Sequence, residues 1–380
     1  MARVQINPIL IQWAIQRSGR SVAELQRRFP KLHEWEQATV FPTMKQLEQL
    51  AVATRTPLGY FFLSSPPEDK LPIPDLRTVG NESLETPSPD LLETVENMQR
   101  RQAWMRDFLI EEGQSALPFI NSVTDQDSPK KVAETIKEEL DIKEGWANSE
   151  PTWSDALRTL RYAMEDNGIM VAVNGIVGNN THRKLDVEEF RGFALVDNYA
   201  PLIFINGSDA KAAQMFTYAH ELAHLWIGKE GVSQLEATQS VNNTIEKFCN
   251  KVAAEFLLPT DELEDCWQEA EQYEERFQFL ARRFKVSQLV AARRALDMRY
   301  ITKNEFFEFY RQHKENERIS QYRRGQGGNF WNTARSRIGE YFGSAVVQAA
   351  REGRLLYRDA YELTGLRGRT FDTFATQLGY

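Results

Sequence analysis

One short segment, FTYAHELAHLWIG at residues 216–228, restricts the fold more than any other part of the sequence. His220 and His224 lie four residues apart in it, so on a helix both imidazoles project from one face, one turn apart. That separation lets two ring nitrogens meet one tetrahedral Zn²⁺ at about 2.0–2.1 Å. Glu221 stands beside the first histidine, where its carboxylate can accept a proton from a metal-bound water. An ordinary buried helix with two hydrogen-bonded histidines is the alternative interpretation.

A second predicted helix, TIEKFCNKVAAEFLLP, can supply the missing ligand. Glu246 follows His224 by 22 residues and can complete a His/His/Glu shell around one zinc ion. Asn250 falls on the same face one turn later and could hydrogen-bond a ligand imidazole. Glu255 lies about half a rotation away, and Cys249 points elsewhere and is interpreted as packing. Weaker candidates for the third ligand are Glu230, Glu236 and Glu262.

The composition limits the class of protein. A chain of 380 residues is expected to hold two or three domains. It has no run of 18 or more apolar residues, no secretory signal at its N-terminus and only two cysteines, Cys249 and Cys266. We therefore expect a soluble cytoplasmic protein with reduced thiols and no membrane contact.

Charge is divided unevenly along the chain. Residues 1–65 carry a net charge of +4, residues 66–275 one of −22, and residues 276–380 one of +10. Basic ends around an acidic centre indicate separate modules, and contact with nucleic acid is one interpretation of them. Docking of the basic ends on the acidic centre is the other, and both stay open.

Short helices crowd the first 65 residues. Residues 8–17 form an amphipathic pattern, Ser21 and Glu24 predict a capping box, and Thr43 can cap a further helix. Four or five helices in so few residues are typical of a helix-turn-helix module, and their order resembles the Xre/Cro-type repressor domain.

The recognition helix is where this segment departs from such a domain. Only PKLHE remains between Phe29 and Trp35, where that helix should lie. Pro30 also disfavours helical backbone at the residue before it. A shortened recognition helix puts reading of the major groove in doubt.

The central segment predicts helices around a small sheet. Strands are expected at residues 169–173, at residues 176–177 and in the runs RGFALVD and APLIFIN. A hairpin through Asn198 and Tyr199 should join the last two runs. Ser208 or Asp209 is expected to cap the histidine helix.

Four segments together resemble the ImmA/IrrE family of zinc metallopeptidases: EEFRGFALVD, PLIFIN, MFTYAHELAHLWIG and IEKFCNKVAAEFLLP. The resemblance covers about residues 130–265 and implies a gluzincin-like protease with one Zn²⁺. By matching motif, His220 and His224 correspond to the zinc histidines, Glu221 to the general base and Glu246 to the third ligand. Several members of the family cleave a helix-turn-helix repressor. The implied fold is α+β and mostly helical, a zincin-like core with a small β-sheet flanked by helical domains.

The group that would stabilise the oxyanion is left unassigned. Tyr218, His182 and Arg183 are candidates. A core tyrosine and two charges of a surface loop are the simpler interpretations of these residues.

The basic tail contains a second suspected DNA-binding unit. FQFLARRFKVSQLVAARRALDMRYI reads as two helices around a tight turn at residues 285–287, with Ser287 capping the second. Arg293, Arg294 and Arg299 could then face phosphates. A basic packing domain explains the same residues equally well, since no base-reading side chain can be named.

These inferences predict a domain order and two competing functions. The predicted segments are an Xre-like region at 1–65, a linker and helical segment at 66–129, a peptidase domain at 130–265, a helix-turn-helix-like region at 266–315 and a C-terminal helical region at 316–380. The first hypothesis is a zinc endopeptidase that cleaves a regulatory protein, a cognate helix-turn-helix repressor, and so controls gene expression. The alternative is a DNA-binding regulator or antitoxin-like protein with a structural or vestigial metal site.

Overall fold

The computed structural model describes residues 2–68, 70–74, 78–79, 82–83, 87–233, 244–320 and 330–380, with the backbone alone at 78–79, 82–83 and 316–320. These residues form a mostly helical α+β fold with a small mixed sheet, which confirms the predicted fold class. The chain divides into two compact units. One comprises Met1–Pro72 with Leu84–Glu96, and the other comprises Ile73–Ser83 with Asn97–Tyr380. The finer division into five segments stays a prediction.

The first unit is built from short helices. They are α1 (Pro8–Arg17), α2 (Val22–Arg28), α3 (Leu32–Glu36) and α4 (Met44–Thr54), then a 3₁₀ helix at Leu58–Phe62 and the start of α5 (Pro89–Glu111). Apolar residues three and four positions apart bury one face of α1 and one of α4. The core so formed includes Leu10, Trp35, Leu47, Leu50 and Phe61.

The predicted starts of two of these helices are confirmed. The Thr43 hydroxyl accepts from the Gln46 N–H while the Gln46 side chain accepts from the Thr43 N–H, a complete capping box. The Ser21 hydroxyl accepts from the Glu24 N–H at 3.2 Å. The predicted return bond from the Glu24 side chain to the Ser21 N–H is wrong, because the Glu24 carboxylate pairs with Arg20 at 3.0 Å. A guanidinium is the stronger partner for a carboxylate than a neutral N–H.

Helix α3 has five residues where a recognition helix would lie. Phe29 leaves the helical region at the end of α2 (φ −124°, ψ 82°), as the proline after it favours. Leu32 and Trp35 are buried in the core of the unit. The larger side chains of this helix thus serve packing, and its shortness agrees with the sequence.

The described part of the second unit forms a four-stranded sheet and two small hairpins. The strands are β1 (Thr78–Val79), β2 (Glu82–Ser83), β3 (Met170–Asn174), β4 (Ile176–Val177), β5 (Asn180–Lys184), β6 (Gly192–Leu195), β7 (Leu202–Asn206) and β8 (Gly231–Ser233). The main sheet has the order β3-β7-β6-β8; β3 is parallel to β7, and the other neighbours are antiparallel. The predicted hairpin is confirmed as β6 and β7, with Leu195 opposite Leu202. The sequence did not indicate the short β8 or the polar β5.

Helices surround this sheet. They are α6 (Pro129–Glu139), α7 (Trp146–Ser149), α8 (Trp153–Asp166), α9 (Lys211–Ile227), α10 (Thr244–Leu257), α11 (Thr260–Ala270), α12 (Arg276–Phe284), α13 (Gln288–Asp297), α14 (Lys303–Ser320), α15 (Phe330–Ile338), α16 (Glu340–Arg351), α17 (Tyr357–Thr364) and α18 (Arg369–Gln377). The core of the unit lies where α9 packs against β6, β7, α8 and α10. None of the helices described is both long and apolar enough to cross a bilayer.

The start of α9 corrects a prediction. Its N-cap residue is Ala210, which has no side-chain oxygen to accept a hydrogen bond. The expected caps are engaged elsewhere: the Ser208 hydroxyl donates to the Gly175 carbonyl at 3.0 Å, and the Asp209 carboxylate pairs with Arg191 at 2.9 Å. The loop before α9 therefore bonds the residues that follow β3 and precede β6 instead of capping the helix.

Each edge strand of the four-stranded sheet has a neighbour. Beside β8, the Pro74 carbonyl accepts from the Val232 N–H at 3.1 Å. At the opposite edge α15 packs along β3, and a Cβ on Gly339 (φ +84°) would lie 2.7 Å from the Val171 carbonyl oxygen. Exposed strand edges recruit other strands, so these contacts protect the sheet.

Candidate metal centre

Helix α9 delivers its polar residues to the middle of the core. His220, Glu221 and His224 are fully buried, and Glu246 on α10 is 3% exposed. The helix ends at Gly228 in the left-handed region (φ +66°), where the Asn121 side chain occupies the space of a Cβ. Glycine is needed there for both reasons.

Three side chains converge on one point. The Nε2 atoms of His220 and His224 lie 3.0 Å apart. Glu246 places Oε2 3.3 Å from the His220 Nε2 and Oε1 3.0 Å from the His224 Nε2. Ligands on a tetrahedral zinc with bonds of 2.0–2.1 Å are about 3.3–3.4 Å apart. This buried group could therefore hold one metal ion.

The backbone selects which nitrogen of His224 is the ligand atom. Its Nδ1 lies 2.8 Å from the Lys229 carbonyl oxygen. A carbonyl only accepts, so Nδ1 carries a proton and Nε2 is the nitrogen available to bind an ion. Such a bond also fixes the ring orientation. The sequence could not identify this support, because it comes from a backbone group just beyond the helix end.

Asn250 lies one turn after Glu246 on α10 and is half-buried. Its predicted hydrogen bond to a ligand imidazole stays a prediction. The Nδ1 atom of His220 is buried and has no hydrogen-bond partner among the described residues. That nitrogen is the position at which a supporting group would act.

The electrostatics of the group are those of an anion held by imidazoles. Burial acts to raise the pKa of the Glu246 carboxyl, but His220 and His224 outweigh it and keep the pKa below its usual range. Burial acts to lower the pKa of His224, whereas Cys249 and Glu246 raise it well above the usual range. The site thus favours positive charge beside Glu246, which a bound cation supplies directly.

Glu221 is held beside this group but outside it. The Ser233 hydroxyl donates to Glu221 Oε1 at 2.8 Å, and Oε2 has no partner in the described part of the chain. Burial raises the pKa of the carboxyl, against the influence of His224 and His220. A carboxylate with one oxygen fixed and one unbonded can exchange a proton with a bound water.

Cys249 lies closer to the site than the sequence indicated. It is fully buried and interacts with His224 instead of pointing away from the ligands. Burial raises the pKa of the thiol, against the influence of His224. It is not part of the three-residue group.

Two of the competing carboxylates, Glu255 and Glu262, have other partners. Glu255 pairs with Arg294 at 2.7 Å, and Glu262 lies 3.9 Å from Lys137. Burial raises the pKa of Glu230, which lies just after α9. Glu236 lies outside the described residues.

The candidates for the oxyanion group are dispersed. Tyr218 is buried in the core, where burial raises its pKa and Arg161 and Glu165 are its charged neighbours. His182 and Arg183 lie on β5, whose residues are largely exposed.

The three arginines predicted to contact nucleic acid differ in environment. Arg293 Nε lies 3.1 Å from the Asp297 carboxylate, and both side chains are close to half exposed. Arg294 is buried and bonds Glu255 and the Leu258 carbonyl. Arg299 follows α13 with φ +63°. The predicted turn at Lys285 and the Ser287 cap before α13 are confirmed. Phosphate contact stays a prediction, and the bonds of Arg294 count against it there.

Comparison with known families agrees with this geometry. Residues 165–296 match the family model of the IrrE N-terminal-like domain (Peptidase M78), and residues 338–377 match a domain of unknown function (DUF8813). No curated protein matches the chain. The first match contains α9 and α10 with the buried His/His/Glu group.

This part of the chain is similar to an M78-type metallopeptidase domain. Its His220, His224 and Glu246 triad is consistent with a zinc metallopeptidase.

Proposed function

We propose that the protein is a zinc-dependent endopeptidase that hydrolyses a peptide bond in a regulatory protein. The observation that carries the proposal is the convergence of two imidazole nitrogens and one carboxylate, with a second carboxylate beside them. The three protein ligands that the described residues supply leave one tetrahedral position for water or substrate, as catalytic zinc sites require. A structural zinc site would have a fourth protein ligand.

His220, His224 and Glu246 would hold the ion, and Glu221 would act as the general base. When bound, Zn²⁺ supplies Lewis acidity toward the attacking water and the scissile carbonyl. Glu221 accepts a proton from the water, whose oxygen bonds to the carbonyl carbon. The C–N bond then breaks, and Glu221 passes the proton to the leaving amine nitrogen.

The substrate class follows from the predicted resemblance and is part of the proposal. A helix-turn-helix repressor encoded near the gene of this protein is the expected substrate. The first unit, with its Xre-like order of helices, would recognise that partner. Its short α3 supports protein recognition over groove reading.

Replacing Glu221 by glutamine tests the mechanism. Glutamine keeps the shape of the side chain but cannot take up a proton, so cleavage should fall about 10²–10⁴-fold. Zinc content should stay at one ion per chain, because Glu221 is not a ligand. Mass spectrometry of a synthetic peptide library and of neighbouring gene products measures cleavage. Elemental analysis measures the zinc content.

Glu230→Gln is the matched control, since it removes a carboxyl close to α9 but outside the triad. It should cleave like the wild type. If Glu221→Gln cleaves at the wild-type rate, the assignment of the general base is wrong.

DNA binding is the second candidate, favoured by the net charge of +10 over residues 276–380. A gel shift on the promoter of its own gene, repeated at several salt concentrations, tests it. Binding with a sequence preference would support a regulator. Binding that falls steeply with salt and ignores sequence would leave only a general attraction to phosphate.

A further inference from the structure

A serine on an edge strand reaches the proposed general base. In the register of β6 and β8, Ser233 stands opposite Gly192, and both residues are buried. The Ser233 hydroxyl lies 2.8 Å from Glu221 Oε1. Neither the family resemblance nor the ligand spacing had singled out this residue.

We propose that Ser233 is a positioning residue for Glu221, an inference that rests on the proposed function. Its hydroxyl holds Oε1, so Oε2 remains the oxygen that exchanges the proton. Oε2 has no other partner among the described residues. Without the serine, a carboxylate can rotate and present either oxygen or neither.

The backbone of β6 lies close to the same carboxylate oxygen. A Cβ added at Gly192 would lie 3.2 Å from Glu221 Oε1 and 2.6 Å from the Thr217 methyl carbon. Only glycine leaves room for both α9 side chains. Glu221 thus packs against a bare strand while its Oε1 accepts from a hydroxyl, and both contacts restrict its rotamers.

Ser233 is itself anchored by its neighbours. Its carbonyl accepts from the Arg191 N–H at 3.1 Å, and the preceding residue, Val232, donates to the Pro74 carbonyl at 3.1 Å. Strand β8 therefore has backbone bonds on both sides. A hydroxyl on such a strand has a defined position, as orientation of a catalytic group requires.

A purely structural hydrogen bond is the alternative, and acetohydroxamate separates the two. This small zinc ligand carries a hydroxyl that can donate to a correctly placed base carboxylate. We would load full-length wild type, Ser233→Ala and Ser233→Thr with one zinc ion. Elemental analysis, thermal unfolding and calorimetric titration with acetohydroxamate would follow.

For Ser233→Ala we expect an unchanged zinc content and an affinity for acetohydroxamate lowered about fivefold, the worth of one hydrogen bond. On any peptide that the wild type cleaves, kcat should fall about 10–100-fold while KM stays within about twofold. Ser233→Thr keeps the hydroxyl and should recover both properties. Ser208→Ala removes a serine that bonds a carbonyl elsewhere and should match the wild type.

Two results would overturn the inference. Acetohydroxamate binding and kcat of Ser233→Ala equal to the wild type would show that the hydroxyl does not orient Glu221. Equal losses in Ser233→Ala and Ser233→Thr, with both folded and zinc-loaded, would assign the effect to packing. A wild type that binds zinc but cleaves no peptide instead contradicts the proposed function itself, which distinguishes the two failures.

Discussion

Two helix pairs in the same unit bury polar and charged groups in opposite ways. Between α9 and α10, two histidine nitrogens face each other at 3.0 Å beside the Glu246 carboxylate. Between α13 and the end of α10, the Arg294 guanidinium meets the Glu255 carboxylate at 2.7 Å and the Leu258 carbonyl at 3.0 Å. Both sets lie in a low-dielectric interior, where unpaired charge is costly.

The difference lies in how completely each set is satisfied. Thr260 donates to Glu255 and also bonds Arg294, so that ion pair is surrounded by partners. In the first pair, His220 Nδ1 and Glu221 Oε2 have no partner within the described residues. Buried groups left without partners in a well-packed core indicate a ligand or a reaction. A buried charge whose partners are all present indicates a structural role.

Removing His224 should produce the largest effect. Without one of two imidazoles the group cannot form a three-ligand zinc site, so His224→Ala should fall from one bound zinc to none after dialysis. Added zinc at 1,000 times the dissociation constant should stabilise the wild type by about 4 kcal/mol and the variant by nothing. Elemental analysis and thermal unfolding with and without zinc measure both.

His182→Ala is the control, since it removes a histidine on the largely exposed β5. It should keep one zinc ion. If His224→Ala kept its zinc in full, the group between α9 and α10 would not be the zinc site.

Local features of the site could be predicted from the sequence, whereas contacts made by distant parts of the chain could not. The four-residue spacing of His220 and His224 and the helical phase of Glu246 are local properties, and the structure brings these three residues together. The Lys229 carbonyl and the Ser233 hydroxyl depend on chain reversals after α9, which no spacing rule reports.

The fold shows the same limit. Alternating and capped segments predicted the β6–β7 hairpin and the Thr43 cap, whereas the parallel pairing of β3 with β7 joins residues about 30 positions apart. At α13 the sequence left phosphate contact and packing equally open for Arg294. Its partner, a carboxylate on another helix, depends on tertiary contacts that composition does not report.

Breaking the Arg294 pair should cost stability and spare the metal. Arg294→Ala leaves the Glu255 carboxylate, 14% exposed, without its guanidinium. Losing one partner of a buried pair typically costs about 3–5 kcal/mol. Urea unfolding of zinc-free protein should show that loss, while the zinc content stays at one ion per chain.

Arg293→Ala is the matched control on the same helix. Its pair with Asp297 is an exposed contact four residues apart, so about 0.3–0.5 kcal/mol is expected. If Arg294→Ala also lost its zinc, the two helix pairs would not be independent, because α10 carries both Glu246 and Glu255.

Glu165 lies between the two cases and gives the smallest and most pH-dependent effect. Burial raises the pKa of this carboxyl from 4.5 to about 7, although its Oε1 accepts from the Glu340 N–H at 2.8 Å and Arg161 lies 3.8 Å away. Because the folded chain holds this proton more tightly than the unfolded chain, stability should fall as pH rises from about 4.5 to 7, by up to about 3 kcal/mol. Glu165→Gln cannot titrate and should remove that slope in denaturant unfolding between pH 5 and 8, while Asp166→Asn at the exposed neighbouring position should retain it. If the wild type and Glu165→Gln show the same slope, the proton on Glu165 does not cause it. Arg161 and the N-terminus of α16 would then stabilise the Glu165 carboxylate as fully as Glu255 stabilises Arg294. Glu165 would in that case have a structural role, like the Arg294–Glu255 pair.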